Sequence, residues 1–146
     1  MNNESKLTFV KPTLFIAGIP ADNEQVGLLE QLQAEAEANP FIRMYYLPGL
    51  YVTFHGKRGT DSWKRNYIEQ RSNEIGLSDI VVVHERLLND ETAFDLGYAY
   101  GLSKRIIVIT GNNAFKHTLA GDVYTTLNSI EELADYNFIK AKRGRG

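Results

Sequence analysis

Apolar residues along the chain fall in short dense runs separated by longer stretches in which they recur at helical spacing. "TLFIAGI" (13–19) is an apolar run ending in a Gly/Pro/Asp turn, which predicts a buried strand followed by a helix start. Asp22 can cap the stretch "NEQVGLLEQLQAEAEAN", where Val26, Leu29, Leu32 and Ala36 share one helical face and Asn39–Pro40 supplies the stop. "FIRMYYL" reads as a second strand, and Pro48 to Thr60, with three Gly and one Pro, as a long loop. Asp61 or Ser62 can open the next helix, through Trp63, Tyr67, Ile68 and Ile75 to about Gly76. "DIVVVHE" (79–85) is the clearest buried strand. It is followed by "NDETAFDLGYAYGLSKR", with Asp90 and Asp95 just ahead of a short Gly/Ala/Tyr-rich helix, and then by the strand "RIIVIT" (105–110). A weaker run, "DVYTTL", precedes "SIEELADY", where Ser129 and Glu132 have capping-box spacing.

The order is thus βαβαβαβ with room for a final βα, which predicts a parallel sheet flanked by helices on both faces. Ligands of open α/β sheets bind outside the carboxyl ends of the strands. Four stretches meet there: "AGIPAD" with Gly18, the Pro48–Thr60 loop, "HERLLNDETAFD" and "TGNN". A carboxylate at this edge can attack an anomeric carbon to form a glycosyl ester, with a second group assisting the leaving group. Asp95 near a helix N-terminus would be held ionised by the dipole, as a nucleophile requires, and Asp90 could touch sugar hydroxyls or the base. Acidic residues also favour first helical turns for stability alone, so spacing leaves both readings open.

Composition narrows the setting. With 146 residues the chain is about the size of one domain. A net charge of -2 argues against a dedicated nucleic-acid binder, which needs cations to displace phosphate counterions. The absence of cysteine excludes disulfides, thiolate catalysis and Cys-ligated metals. No apolar run is long enough for a membrane span, and "MNNESKLTFVKP" lacks the apolar core of a signal peptide, so a cytoplasmic protein is expected.

One stretch carries a family likeness. "DIVVVHERLLNDETAFDLGYAYGLSKRIIVIT" resembles the signature of nucleoside 2-deoxyribosyltransferases: a strand opening on Asp, a loop, a helix start of the form acid-Leu-Gly-Tyr-Ala, then Gly, Lys and another apolar strand. The likeness extends to "SWKRNYIEQRSNEIGLSD", to "PTLFIAGI" and to "LADYNF". It implies a flavodoxin-like doubly wound sheet of about five strands, spanning residues 1–139 as one domain. It also implies exchange or hydrolysis of the base of a 2′-deoxynucleoside through a deoxyribosyl ester, with no cofactor and in a homo-oligomer that shares its active sites. The family's nucleophilic Glu corresponds to Asp95, one methylene shorter, and near-attack geometry is sensitive to that difference. A base-binding acid of the preceding helix corresponds to Arg71, a donor in place of an acceptor, which could instead grip a phosphate. A first-strand Tyr corresponds to Phe15, which keeps a stacking surface and loses the hydroxyl, and Asp90 fills the role of the acid upstream of the nucleophile. These departures admit two alternatives: a nucleoside monophosphate N-glycoside hydrolase, or a nucleotide-binding module that has lost catalysis.

The other chemistry-bearing residues say less. His84 closes the third strand and could donate a proton or a hydrogen bond to substrate, although a satisfied structural histidine is the commoner case. His55 and His117 lack metal-ligand spacing. Trp63, Tyr67, Phe54 and Tyr98 could stack on a base, but aromatics at helical spacing more often belong to the core, which leaves Phe15 and Tyr98 as the stacking candidates. "HGKRGT" lacks the spacing of a Walker loop, though Lys57 and Arg58 could meet an anion. The tail 140–146, "KAKRGRG", has four cations in seven residues and reads as solvated and disordered.

Overall fold

The computed structural model describes residues 10–51, 60–111 and 124–138. His55, Lys57, Arg58, Phe54, His117 and the basic tail lie outside the described residues. The elements are β1 (Thr13–Ile16), α1 (Asn23–Ala38), β2 (Met44–Tyr46), α2 (Pro48–Tyr51), α3 (Asp61–Leu77), β3 (Ile80–His84), α4 (Asp90–Gly101), β4 (Arg105–Ile109) and β5 (Thr125–Leu127). One 3₁₀ turn, Glu85–Leu87, follows β3 and another, Ile130–Ala134, follows β5.

The strands form one sheet in the order β2-β1-β3-β4-β5, every pair parallel, which is the flavodoxin-like order. The central strands are apolar runs because helices cover both of their faces: Leu14, Phe15, Ile16, Val81, Val82, Val83, Ile107 and Val108 are all buried. Edge strands β2 and β5 are short and half-exposed. Right-handed crossovers, the rule for parallel strands, would put α1 on one face of this strand order and α3 with α4 on the other. Accordingly α1 packs on the C-terminal 3₁₀ turn, and α3 packs on α4. The register is fixed at the strand starts, where Asp79 donates its N–H to Thr13 O and accepts from Thr13 N through Oδ2 at 2.8 Å.

Helix α1 begins and ends where the sequence predicts. The Asp22 side chain accepts from Gln25 N, and Asn39 ends the helix while its amide donates to Leu133 O at 2.7 Å and Tyr136 O at 2.9 Å. Three expectations change. The loop expected from Pro48 opens instead with the short helix α2, because Pro is pre-set for the first helical position. Ser129 makes no capping bond; Glu132 accepts from Asn128 N instead, and the segment is a 3₁₀ turn. Helix α4 starts at Asp90, so both carboxylates lie within it rather than ahead of it.

Candidate active site

The cause of that early start is local. Asn89 caps α4: its Oδ1 accepts from Glu91 N and Thr92 N, while Thr92 Oγ1 accepts from Asn89 N at 2.7 Å and donates back to carbonyls of Leu87 and Asn89. Three backbone donors are thereby satisfied by two side chains acting reciprocally, with Thr in the place usually taken by Glu. Asp90 becomes the first helical residue and is exposed. Asp95 is five residues on, roughly 7.5 Å along the axis, beyond the reach of the helix dipole's positive end. The expectation that the dipole holds Asp95 ionised is therefore overturned.

Burial and Arg71 govern Asp95 instead. Tyr67, Arg71 and Ile75 form the buried stripe of α3, and Thr92, Asp95, Leu96 and Ala99 that of α4, so the two charged residues meet where the helices pack. Arg71 Nε lies 2.5 Å from Asp95 Oδ1, with the side chains 5% and 1% exposed. Arg71 Nη1 and Asp95 Oδ2 are buried with no hydrogen-bond partner. Loss of hydration raises the Asp95 carboxyl to about 7; the Arg71 charge opposes that rise and the Glu91 charge one turn earlier adds to it. Near neutral pH the carboxyl is thus poised between acid and anion.

Aromatic rings flank the Arg71 guanidinium. The Arg71 guanidinium lies over the face of Tyr67 at 4.3 Å and over that of Phe94 at 5.2 Å. Tyr67 stacks on Trp63 with centroids 5.3 Å apart, and Phe94 lies parallel to Tyr98 at 6.3 Å. Burial pushes the Tyr67 phenol up to about 12, with Arg71 pulling it down. Phe94 and Tyr98 are 50% and 37% exposed, so they form the solvent side of this cluster.

The remaining candidates stand elsewhere. Phe15 is fully buried in β1, within the core and without an open stacking face. Gly18, at φ +130°, turns the chain out of β1; a Cβ there would lie 3.0 Å from Leu87 Cδ1, so the glycine is explained by backbone conformation and packing. His84 ends β3 half-buried. Its Nδ1 accepts from Arg86 N at 3.1 Å, which leaves the proton of the neutral ring on Nε2, and burial lowers its affinity for a second proton. Beside it Glu85 ties β3 to β4, accepting from Thr110 Oγ1 at 2.7 Å and Gly111 N at 3.0 Å. The structure thus pairs Arg71 with Asp95, leaves Tyr98 one ring further out against Phe94, and sets Gly18 and His84 at the strand ends.

Phe94 went unmarked in the sequence, although its i, i+4 relation to Tyr98 was available as a signal. The Arg71–Asp95 contact also had a signal: opposite charges on the apolar stripes of two successive helices. Among the described residues no group of acids and histidines is placed to hold a metal, and no helix is long and apolar enough to cross a membrane.

No protein-family model matches the chain, and no curated protein matches it. Among solved structures it is similar to the CMP N-glycosidase BcmB of Clostridium botulinum, at 15% identity and a TM-score of 0.45, over 83% of this chain and 94% of that one.

Proposed function

We propose that the protein cleaves or exchanges the N-glycosidic bond of a nucleoside or nucleotide, with the Asp95 carboxylate as nucleophile. The observation that carries this reading is Asp95 itself, fully buried on α4, facing one cation and holding an oxygen with no hydrogen-bond partner. Buried polar atoms are nearly always hydrogen-bonded, and carboxyls perturbed this far concentrate where chemistry is done. In the reaction, a carboxylate oxygen attacks C1′, and the base leaves with the bonding electron pair and takes up a proton. Water or a second base then opens the glycosyl ester. Before substrate binds, Arg71 opposes the burial that favours the acid, so that part of the carboxyl is already ionised near neutral pH. The acid-Leu-Gly-Tyr-Ala stretch from Asp95 to Ala99 supports the same reading through its likeness to the deoxyribosyltransferases.

One observation favours a second reading, a nucleotide-binding module without turnover: Asp95 is 0% exposed. Attack on C1′ requires the groups covering Asp95, Arg71 among them, to move aside, and a chain in which they stay would bind without reacting. Arg71, placed on Asp95, reaches a phosphate only by leaving it, so the monophosphate hydrolase gains nothing from this geometry.

A substrate panel separates these readings. The protein is incubated with deoxynucleosides, ribonucleosides and their monophosphates, each with and without an acceptor base, and products are followed chromatographically. Base exchange or released sugar is the expected result. Tight binding with no product from any member would support the module and overturn the glycosidic reading.

A further inference from the structure

The row Trp63, Tyr67, Arg71, Phe94, Tyr98 is not needed merely to bury an ion pair. Apolar side chains would cover Arg71 and Asp95 equally well, whereas here the guanidinium lies over two aromatic faces, and each of those rings has a further ring beside it. A guanidinium is planar and delocalised, with its donors on the edge. A nucleobase shares that shape: a flat π-face for stacking and an edge of donors and acceptors. Arg71 Nη1 and Asp95 Oδ2, buried and without partners, are a donor and an acceptor that the protein's own groups leave unmatched. The outer rings, Phe94 and Tyr98, are the exposed members and border solvent.

We propose that the Arg71 guanidinium holds, in this closed form, the stacking place of a planar heterocycle against Tyr67 and Phe94, and that a nucleobase binds by taking that place. The side chain is an internal competitor. Its departure opens the α3–α4 seam from the Phe94 side and exposes the Asp95 carboxylate to whatever the base carries. The inference rests on the glycosidic reading only in assuming that the base belongs to a substrate; the stacking itself needs no reaction.

Binding of free adenine and free cytosine tests it, read by titration calorimetry and by emission of Trp63, the single tryptophan, which stacks on Tyr67. A protein whose binding-competent form is a minor population binds in proportion to that fraction. Arg71→Ala, and Arg71→Ala combined with Asp95→Asn so that no unpaired charge stays buried, should therefore bind at least one base about tenfold tighter than the parent. Phe94→Ala should weaken binding by about tenfold or more, the usual effect of removing a stacking ring. A measurement on the parent needs no variant: saturating base should move the Arg71 Nε–H resonance and speed its exchange with water.

Failure to bind either base, an unchanged affinity in the double variant or in Phe94→Ala, or an Arg71 signal indifferent to bound base would each overturn the proposal. Base binding of this pattern with no turnover of any nucleoside would sink the glycosidic reading and leave this inference standing. Turnover by the parent with unaltered base affinity in the double variant would do the reverse.

Discussion

The Arg71–Asp95 pair makes a quantitative prediction about stability. Above about pH 7, where the Asp95 carboxyl is ionised, two unit charges 2.5 Å apart attract by about 6–7 kcal/mol at an effective dielectric of ~20. Against this stand the removal of two ions from water, several kcal/mol each, and two buried polar atoms without partners, about 1–3 kcal/mol each. The balance is near zero or unfavourable. Removing one member, however, leaves the other as a lone buried charge, which costs about 3–5 kcal/mol. Arg71→Met and Asp95→Leu should each lose about that much in urea unfolding followed by circular dichroism. The double variant, apolar on both sides, should lie within about 2 kcal/mol of the parent or above it, so that the single effects overshoot the double by several kcal/mol. Single variants that each lose less than about 1 kcal/mol, or a double variant equal to their sum, would refute the picture of a desolvated, mutually dependent pair.

Other expectations follow from the same structure. Folding raises the Asp95 carboxyl from 3.8 to about 7, so the folded state binds the extra proton between those values. Stability from this group is complete below the lower value and is lost as pH rises through the upper one. Melting temperatures of the parent, referred to the Met/Leu double variant, should therefore fall from about pH 4 to pH 7, and a rise would contradict the buried carboxyl. Tyr67, raised from 10.0 to about 12, gives the same sign in alkali: stability should drop above pH 10, and Tyr67→Phe should flatten that drop. Two glycines should behave oppositely in urea titrations. At Gly49 a Cβ would lie 2.1 Å from the Gly18 carbonyl oxygen, so Gly49→Ala should lose about 1–3 kcal/mol or more. Around Gly97, an exposed helical position, a Cβ meets nothing within 4 Å, and Gly97→Ala should gain about 0.5–1 kcal/mol.

The parts of this fold that sequence reveals are those set by local physics. The central strands show as unbroken apolar runs because both of their faces are covered, and α1 is bracketed by an Asp that caps and an Asn that stops. The start of α4 is hidden because its capping box uses Asn89 and Thr92 rather than the commoner Ser and Glu, while the Gly/Ala/Tyr segment suggests a start roughly two turns late. Pro48 and Gly49 hid α2, since the same residues open loops and short helices alike. In the site, Asp95 and Arg71 were each singled out, but each was aimed at a substrate. Their contact is tertiary, made only when α3 and α4 lie side by side on the sheet, and no periodicity within one helix encodes it. Phe15 was misplaced for a related reason: an aromatic in a central strand of a sheet covered on both faces goes to the core whatever its family counterpart does.

The central claim, that the Asp95 carboxylate does chemistry on a glycosidic bond, is tested most directly by comparing parent and Asp95→Asn on the best substrate of the nucleoside panel. Asn keeps the shape and cannot form the ester, so single-turnover release of base should fall by about a thousandfold or more, while substrate still quenches Trp63. An Asp95→Asn protein that releases base as fast as the parent would contradict the account.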